Sequence, residues 1–207
     1  MDAIAATPLT TLRLDHKALR VLAHPLRSRL LTTLRGGGPA TATALARALD
    51  TNTGATSYHL RRLADVGLVT ETEDGKGRER WWRAATDAHE WTDRDVLGDP
   101  DAEAASEWLK RHYLRYFVDR YEQWLDTAST WPIEWREAAD SGDSMLSGTP
   151  EDFADFQREL QALLARYADR SPGSPDARRL EFYHHAIPAA GEVPAPGDEA
   201  ASSEDAR

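Results

Sequence analysis

The first third of the chain is punctuated so closely that only short packed elements can form there. Leu12, Leu14, Leu19 and Leu22 recur at helical spacing and predict a helix over 10–23. His24-Pro25 breaks that pattern, and proline suits the first turn of a new helix, where its missing N–H has no partner to lose. The next helix, 25–35, carries Leu26, Leu30, Leu31 and Leu34, and Gly36-Gly37-Gly38-Pro39 stops it. Thr41 or Thr43 can cap a short third helix with Leu45, Ala46 and Leu49 on its inner side. The polar run Asp50-Thr51-Asn52-Thr53 supplies both a turn and a cap for a fourth helix over 53–66, with Leu60, Leu63 and Ala64 inward. Gly67 follows, where a left-handed C-terminal residue is wanted. Leu68-Val69-Thr70 opens a strand, Asp74-Gly75 is a hairpin turn, and Arg80-Trp81-Trp82-Arg83 is the returning strand.

The remainder has a different texture. Residues 85–100 are polar, acidic and aperiodic, and are expected to be a linker. A long helix over 101–128 follows, with Ala105, Leu109, Tyr113, Tyr116, Phe117, Trp124 and Leu125 on its apolar face. Thr149-Pro150-Glu151-Asp152 starts another helix: a capping hydroxyl, a proline at the first helical position, and acids beside the positive end of the dipole. Phe153, Phe156, Leu160, Leu163, Leu164 and Tyr167 continue it to about 169. After the loop Ser171–Pro175, the alternation of Leu180, Phe182, His184 and Ala186 suggests a short strand. The acidic tail, 188–207, is expected to be disordered. The fold class is therefore mainly α: an N-terminal helical domain with a β-hairpin over 10–84, the linker 85–100, and a helical region with a short strand over 101–187.

Composition removes several function classes. The 207 residues are 41% hydrophobic and 29% charged, in the range of soluble globular proteins. No run of apolar residues is long enough to span a membrane, and the N-terminus does not read as a secretion signal, so the expected location is the cytoplasm. There is no cysteine, which excludes disulfides and thiolate metal sites. No nucleophile elbow, phosphate loop, HExxH or EF-hand pattern occurs, so no enzyme and no cofactor are expected. The net charge of -10 is unevenly placed: residues 13–83 hold 13 basic and 7 acidic residues, a balance of +6, which leaves -16 elsewhere. Such sorting points to a basic functional surface beside an acidic remainder.

The fourth helix and the hairpin carry that surface. A helix that enters a DNA major groove needs small or hydrogen-bonding residues near its N-terminus, and Thr53, Gly54, Thr56, Ser57 and Tyr58 have that character. Arg61 and Arg62 stand one turn further on, while Lys76, Arg78 and Arg80 flank the hairpin tip, where they suit phosphate. The segments Leu22-Ala23-His24-Pro25-Leu26-Arg27-Ser28-Arg29-Leu30-Leu31, Ala44-Leu45-Ala46, Thr56-Ser57-Tyr58-His59-Leu60-Arg61-Arg62-Leu63 and Gly67-Leu68-Val69 resemble, in this order, the ArsR-like winged helix-turn-helix regulators common in actinobacteria. The resemblance spans about 15–85. It implies a winged helix-turn-helix, double-stranded DNA as partner, and a homodimer that reads an inverted repeat, usually as a repressor. By position, Thr53, Thr56, Ser57, Tyr58 and Arg61 would face DNA, and Lys76, Arg78 and Arg80 would form the wing.

Other readings stand beside these. The family's thiolate metal site has no counterpart, and His112 stands alone between Arg111 and Tyr113, so no metal is expected. His184-His185 are adjacent on the expected strand and so point to opposite faces. His24 suits a turn or cap, and His59 a structural hydrogen bond. Trp81 and Trp82 alternate, one packing inward and the other covering a helix or a partner. The aromatic face of the long helix suits core or dimer contact, and a space against the 149–169 helix leaves room for a small-molecule effector. The rival function is a winged-helix protein-interaction module whose acidic half binds a protein.

Overall fold

The computed structural model describes residues 10–72, 79–139, 141–168 and 174–189. The chain divides into two units, residues 1–172 and 173–207. In the first unit the elements run β1 (Thr11–Arg13), α1 (His16–Leu22), α2 (Pro25–Gly37), β2 (Ala40–Thr41), α3 (Ala42–Ala48), α4 (Thr53–Ala64), β3 (Val69–Thr72), β4 (Trp81–Ala84), β5 (Ala88–Glu90), α5 (Pro100–Thr127), α6 (Ile133–Ala138) and α7 (Pro150–Tyr167).

The helix expected over 10–23 forms only from His16, because Asp15 accepts the Ala18 N–H at 2.7 Å and fixes the cap there. Leu12 and Leu14 belong to an extended segment instead. β1 pairs in parallel with β5, Leu12 opposite His89, and the Leu14 N–H continues the ladder to the Glu90 carbonyl at 2.9 Å. Residues 85–100 are thus more than a linker: β5 lies there, buried Val96 joins the core, and the Trp91 indole N–H donates to the Ser106 hydroxyl at 2.7 Å.

Both turns around α4 follow one backbone rule. After α3, Asp50 takes a positive φ of 51° while the Thr51 N–H reaches back to the Ala46 carbonyl at 2.9 Å. After α4, Gly67 has φ 72° and the Leu68 N–H bonds the Leu63 carbonyl at 3.0 Å. Each is a left-handed closure that satisfies carbonyls the helix would leave open. The strands form a sheet in the order β2-β4-β3, all antiparallel, with Ala40 and Glu71 on either side of Trp82. The Asp74-Gly75 turn lies outside the described residues.

A leucine core holds these elements: Leu19, Leu22, Leu30, Leu31, Leu34, Leu45, Leu60, Leu63 and Leu68 are all buried, together with Trp82 from β4. The first turns of α5 join it through Ala102, Ala105 and Leu109. Asp99 caps α5 by accepting the Ala102 N–H at 3.1 Å, and also receives Arg20 at 2.8 Å and His16 at 2.9 Å from α1. A second link is polar. Arg35 on α2 donates to the Thr86 carbonyl at 3.0 Å and to His89 Nδ1 at 2.6 Å, and His89 Nε2 meets the Tyr113 hydroxyl at 3.0 Å. An arginine only donates, so Nδ1 accepts and the His89 proton sits on Nε2.

Beyond Leu109 the side chains of α5 are half-buried or exposed, as are those of α6 and α7. The start of α7 matches its expectation: Thr149 and Asp152 form a reciprocal capping box, with Pro150 at the first position. In the second unit residues 174–189 contain no helix or strand. The strand suggested by the alternation at 180–186 is absent, for no second segment pairs with it among the described residues. Except for Pro188 and Ala189, the expected tail 188–207 lies outside the described residues.

Candidate nucleic-acid interface

α4 owes its start to Asn52, whose side-chain oxygen accepts the Ala55 N–H at 2.7 Å. That oxygen lies 3.3 Å from where a Cβ on Gly54 would sit, so glycine leaves the cap undisturbed and the helix tip thin. From this tip the helix presents two flanks. Thr53, Ser57 and Arg61, spaced four apart, line a concavity of about 310 Å³ with Thr41, Thr43, Glu79 and Arg80, and Trp82 at its base. A shallower neighbour of about 430 Å³ shares Arg61, Arg80 and Trp82 and adds Asp65 and Glu71.

Tyr58 and Arg62 lie on the other flank, toward α2. Tyr58 is 52% exposed. Arg27 of α2 donates to the Val21 carbonyl, and burial first, then the nearby Arg62 charge, holds its guanidinium below the usual arginine range. Arg62 pairs with Asp65 at 3.3 Å and Arg80 with Glu71 at 3.0 Å, whereas Arg61 has no ion pair among the described residues.

Under this flank two histidine rings meet with centroids 4.5 Å apart. His24 is the cap of α2, its Nδ1 accepting the Leu26 N–H at 3.1 Å, in keeping with the turn-or-cap reading. His59 departs from its expectation. Its Nδ1 is buried without a hydrogen-bond partner among the described residues, and the ring is held by contact with His24 and Tyr58 instead. Burial lowers the pKa of both rings, and the charge of Arg27 adds to the effect.

Residues 22–72, which span α2 through β3, match the helix-turn-helix domain family. The match is to a helix-turn-helix domain and covers about a quarter of the chain, and the antiparallel β2-β4-β3 sheet beside α4 gives that domain its winged form. Among solved structures the chain is similar to a homodimeric winged helix-turn-helix DNA-binding domain from Mycobacterium bovis, described as a possible ArsR-family transcriptional regulator. The identity there is 21% over 50% of this chain and 76% of that one, with a TM-score of 0.32. It is also similar to a possible transcriptional regulator for arsenical resistance, with 29% identity over 63% of this chain and 99% of that one and a TM-score of 0.30. No curated protein matches the chain.

The winged helix-turn-helix sorts the expected contact residues into three groups. Thr53, Gly54, Ser57, Tyr58, Arg61, Arg62 and Arg80 reach the surface of α4 or its strand neighbour. Thr56 does not: it is fully buried and its hydroxyl donates to the Asn52 carbonyl at 3.0 Å, so it holds the first turn and is removed from the contact set. Lys76 and Arg78 lie outside the described residues. The sequence reading missed Glu71, Glu79 and the hydroxyl of Thr43. The sequence offers Thr43 only as a cap, and Thr41 takes that role by accepting the Ala44 N–H at 3.2 Å. Trp82 packs inward at 4% exposed and Trp81 stays half-buried, as their alternation required. No three His, Asp or Glu residues converge on a metal position among the described residues. No described helix is long and apolar enough to cross a membrane.

Proposed function

We propose that the protein is a sequence-specific transcriptional regulator, a repressor that binds an inverted-repeat operator as a homodimer with α4 of each copy in a major groove. The observation that carries this reading is the coincidence of the helix-turn-helix match at 22–72 with an exposed α4 face that runs from Thr53 to Arg62 and is flanked by Arg80. In this reading residues 10–84 bind DNA. Thr53, Gly54, Ser57 and Tyr58 approach the bases, Arg61 and Arg62 reach bases or phosphate, and Lys76, Arg78 and Arg80 hold the backbone beside the groove. Residues 101–187 pair the copies and provide the place for a small-molecule effector.

The test is fluorescence anisotropy with duplex from the gene's own upstream region against a scrambled duplex. Binding at least ~10³-fold tighter to the former supports the reading. Arg61→Ala should cost about 1–3 kcal/mol if it reads a base, or lower the salt slope by about 1 if it holds a phosphate. Equal, salt-insensitive binding to both duplexes refutes the proposal.

A further inference from the structure

Resting on the DNA-binding reading, we propose that Glu71 competes with DNA phosphate for Arg80 and so sets how strongly the β3–β4 edge of the domain engages duplex. Glu71 lies in β3 opposite Trp82, and Arg80 immediately precedes β4. Their side chains meet at 3.0 Å across the hairpin, with 50% of the glutamate side chain and 68% of the arginine side chain exposed. Arg80 is one of two arginines shared by both concavities beside α4, and the other is Arg61.

The charge around them is balanced. The concavity that contains Glu71 is lined by Arg61 and Arg80 against Asp65 and Glu71, which sum to zero. This concavity therefore carries no net charge where phosphate would lie, and Arg80 is already engaged by a carboxylate. An exposed ion pair is weak, so Glu71 and phosphate share Arg80 in the complex, and the competition is worth at most about fivefold in affinity. The competition also removes a counterion-releasing contact, because an arginine held by Glu71 neutralises no phosphate.

The experiment follows anisotropy of a labelled duplex of scrambled sequence between about 50 and 200 mM salt, where sequence-independent contacts dominate. It compares wild type, E71Q, R80Q, the double variant and E107Q. Glu107 pairs with Arg111 on α5 at 2.8 Å, so E107Q makes the same charge change away from this surface. E71Q is expected to bind up to about fivefold tighter at low salt and to steepen the log–log salt slope by up to about 0.9. E107Q should leave the slope unchanged, and in the R80Q background E71Q should lose most of its gain. An E71Q slope equal to wild type, or an equal gain with and without Arg80, overturns the proposal, the latter because it signals general repulsion. Absence of duplex binding by wild type and all variants at every salt concentration overturns the DNA reading itself, and this proposal with it.

Discussion

Thr56 and Ser57 are neighbours on α4 with opposite surroundings. Thr56 is fully buried against the Asn52 carbonyl, while Ser57 lines the concavity beside Arg61. Small polar residues at the start of such a helix were legible in the sequence. The rotation of about 100° between successive side chains, which decides contact from core, was not, because both residue types suit either role. Thr56→Ala should therefore lower stability by about 1 kcal/mol in urea unfolding yet leave the salt slope of DNA binding unchanged. A changed slope at wild-type stability would return Thr56 to the interface. His89 gives a second residue-scale prediction. Burial and the Arg35 charge depress its pKa from 6.5 to about 3, so the folded state favours the neutral ring. The stability it contributes is complete above pH 6.5. It is lost toward pH 3, by about 1.4 kcal/mol per pH unit, because the unfolded chain takes up a proton that the folded one refuses. His24 and His59 shift in the same direction. The lowered carboxyls of Asp87, Asp95 and Asp99 add losses only at more acid pH, near and below their ordinary range. Denaturation from pH 7.5 to 4.5 should be flat down to about pH 6.5 and then fall, and His89→Gln should make that fall shallower; an unaltered fall in that variant would remove His89 as a source.

The elements show which signals in a sequence are local. α2, α3, α4, α5 and α7 were legible within a few residues because periodicity, proline, glycine and capping residues all act inside one helix. β1 and β5 were not. Thr11 pairs with Ala88, and a three-residue strand has no pattern of its own until a distant partner supplies hydrogen bonds. The strand suggested at 180–186 is the converse case, an alternation with no pairing segment among the described residues. α6 escaped notice because six residues after Pro132 are too few to establish a period. The expected linker fails for the same nonlocal reason, since Trp91, Val96 and Asp99 take their meaning from α1 and α5. The consequence is that α5 should be an integral part of the winged helix core. Leu109 is fully buried, so Leu109→Ala should cost about 2–5 kcal/mol. The loss should appear as a shift of a single cooperative transition followed by circular dichroism. A variant in which α5 melts separately while the remaining core keeps its wild-type midpoint would contradict that continuity.

At the scale of the molecule, the core accounts for the first ten residues of α5 and leaves the rest unexplained. Leu114, Val118 and Leu125 on α5 are 48%, 43% and 58% exposed, and Phe156 and Leu163 on α7 are 44% and 41% exposed. Leu114, Val118 and Leu125 fall at helical spacing on α5, and apolar exposure gathered on a helix face marks an association surface more often than a solvated one. A homodimer offers the partner that the DNA reading already requires, since an inverted repeat is matched by a two-fold pair of recognition helices. Light scattering at micromolar concentration should then give twice the chain mass of 23.0 kDa. Val118→Glu combined with Leu125→Glu changes only exposed positions, so it should leave the fold intact while placing charge where two copies would meet. The salt dependence then separates dimerisation from simple damage. A monomer brings one winged helix to the duplex instead of two and neutralises about half as many phosphates. Its log–log salt slope should fall to about half while circular dichroism stays that of wild type. A wild-type chain that scatters as a clean monomer, or a monomeric variant that keeps the full slope, would place the DNA-binding unit in the single copy and leave the exposed face of α5 to another partner.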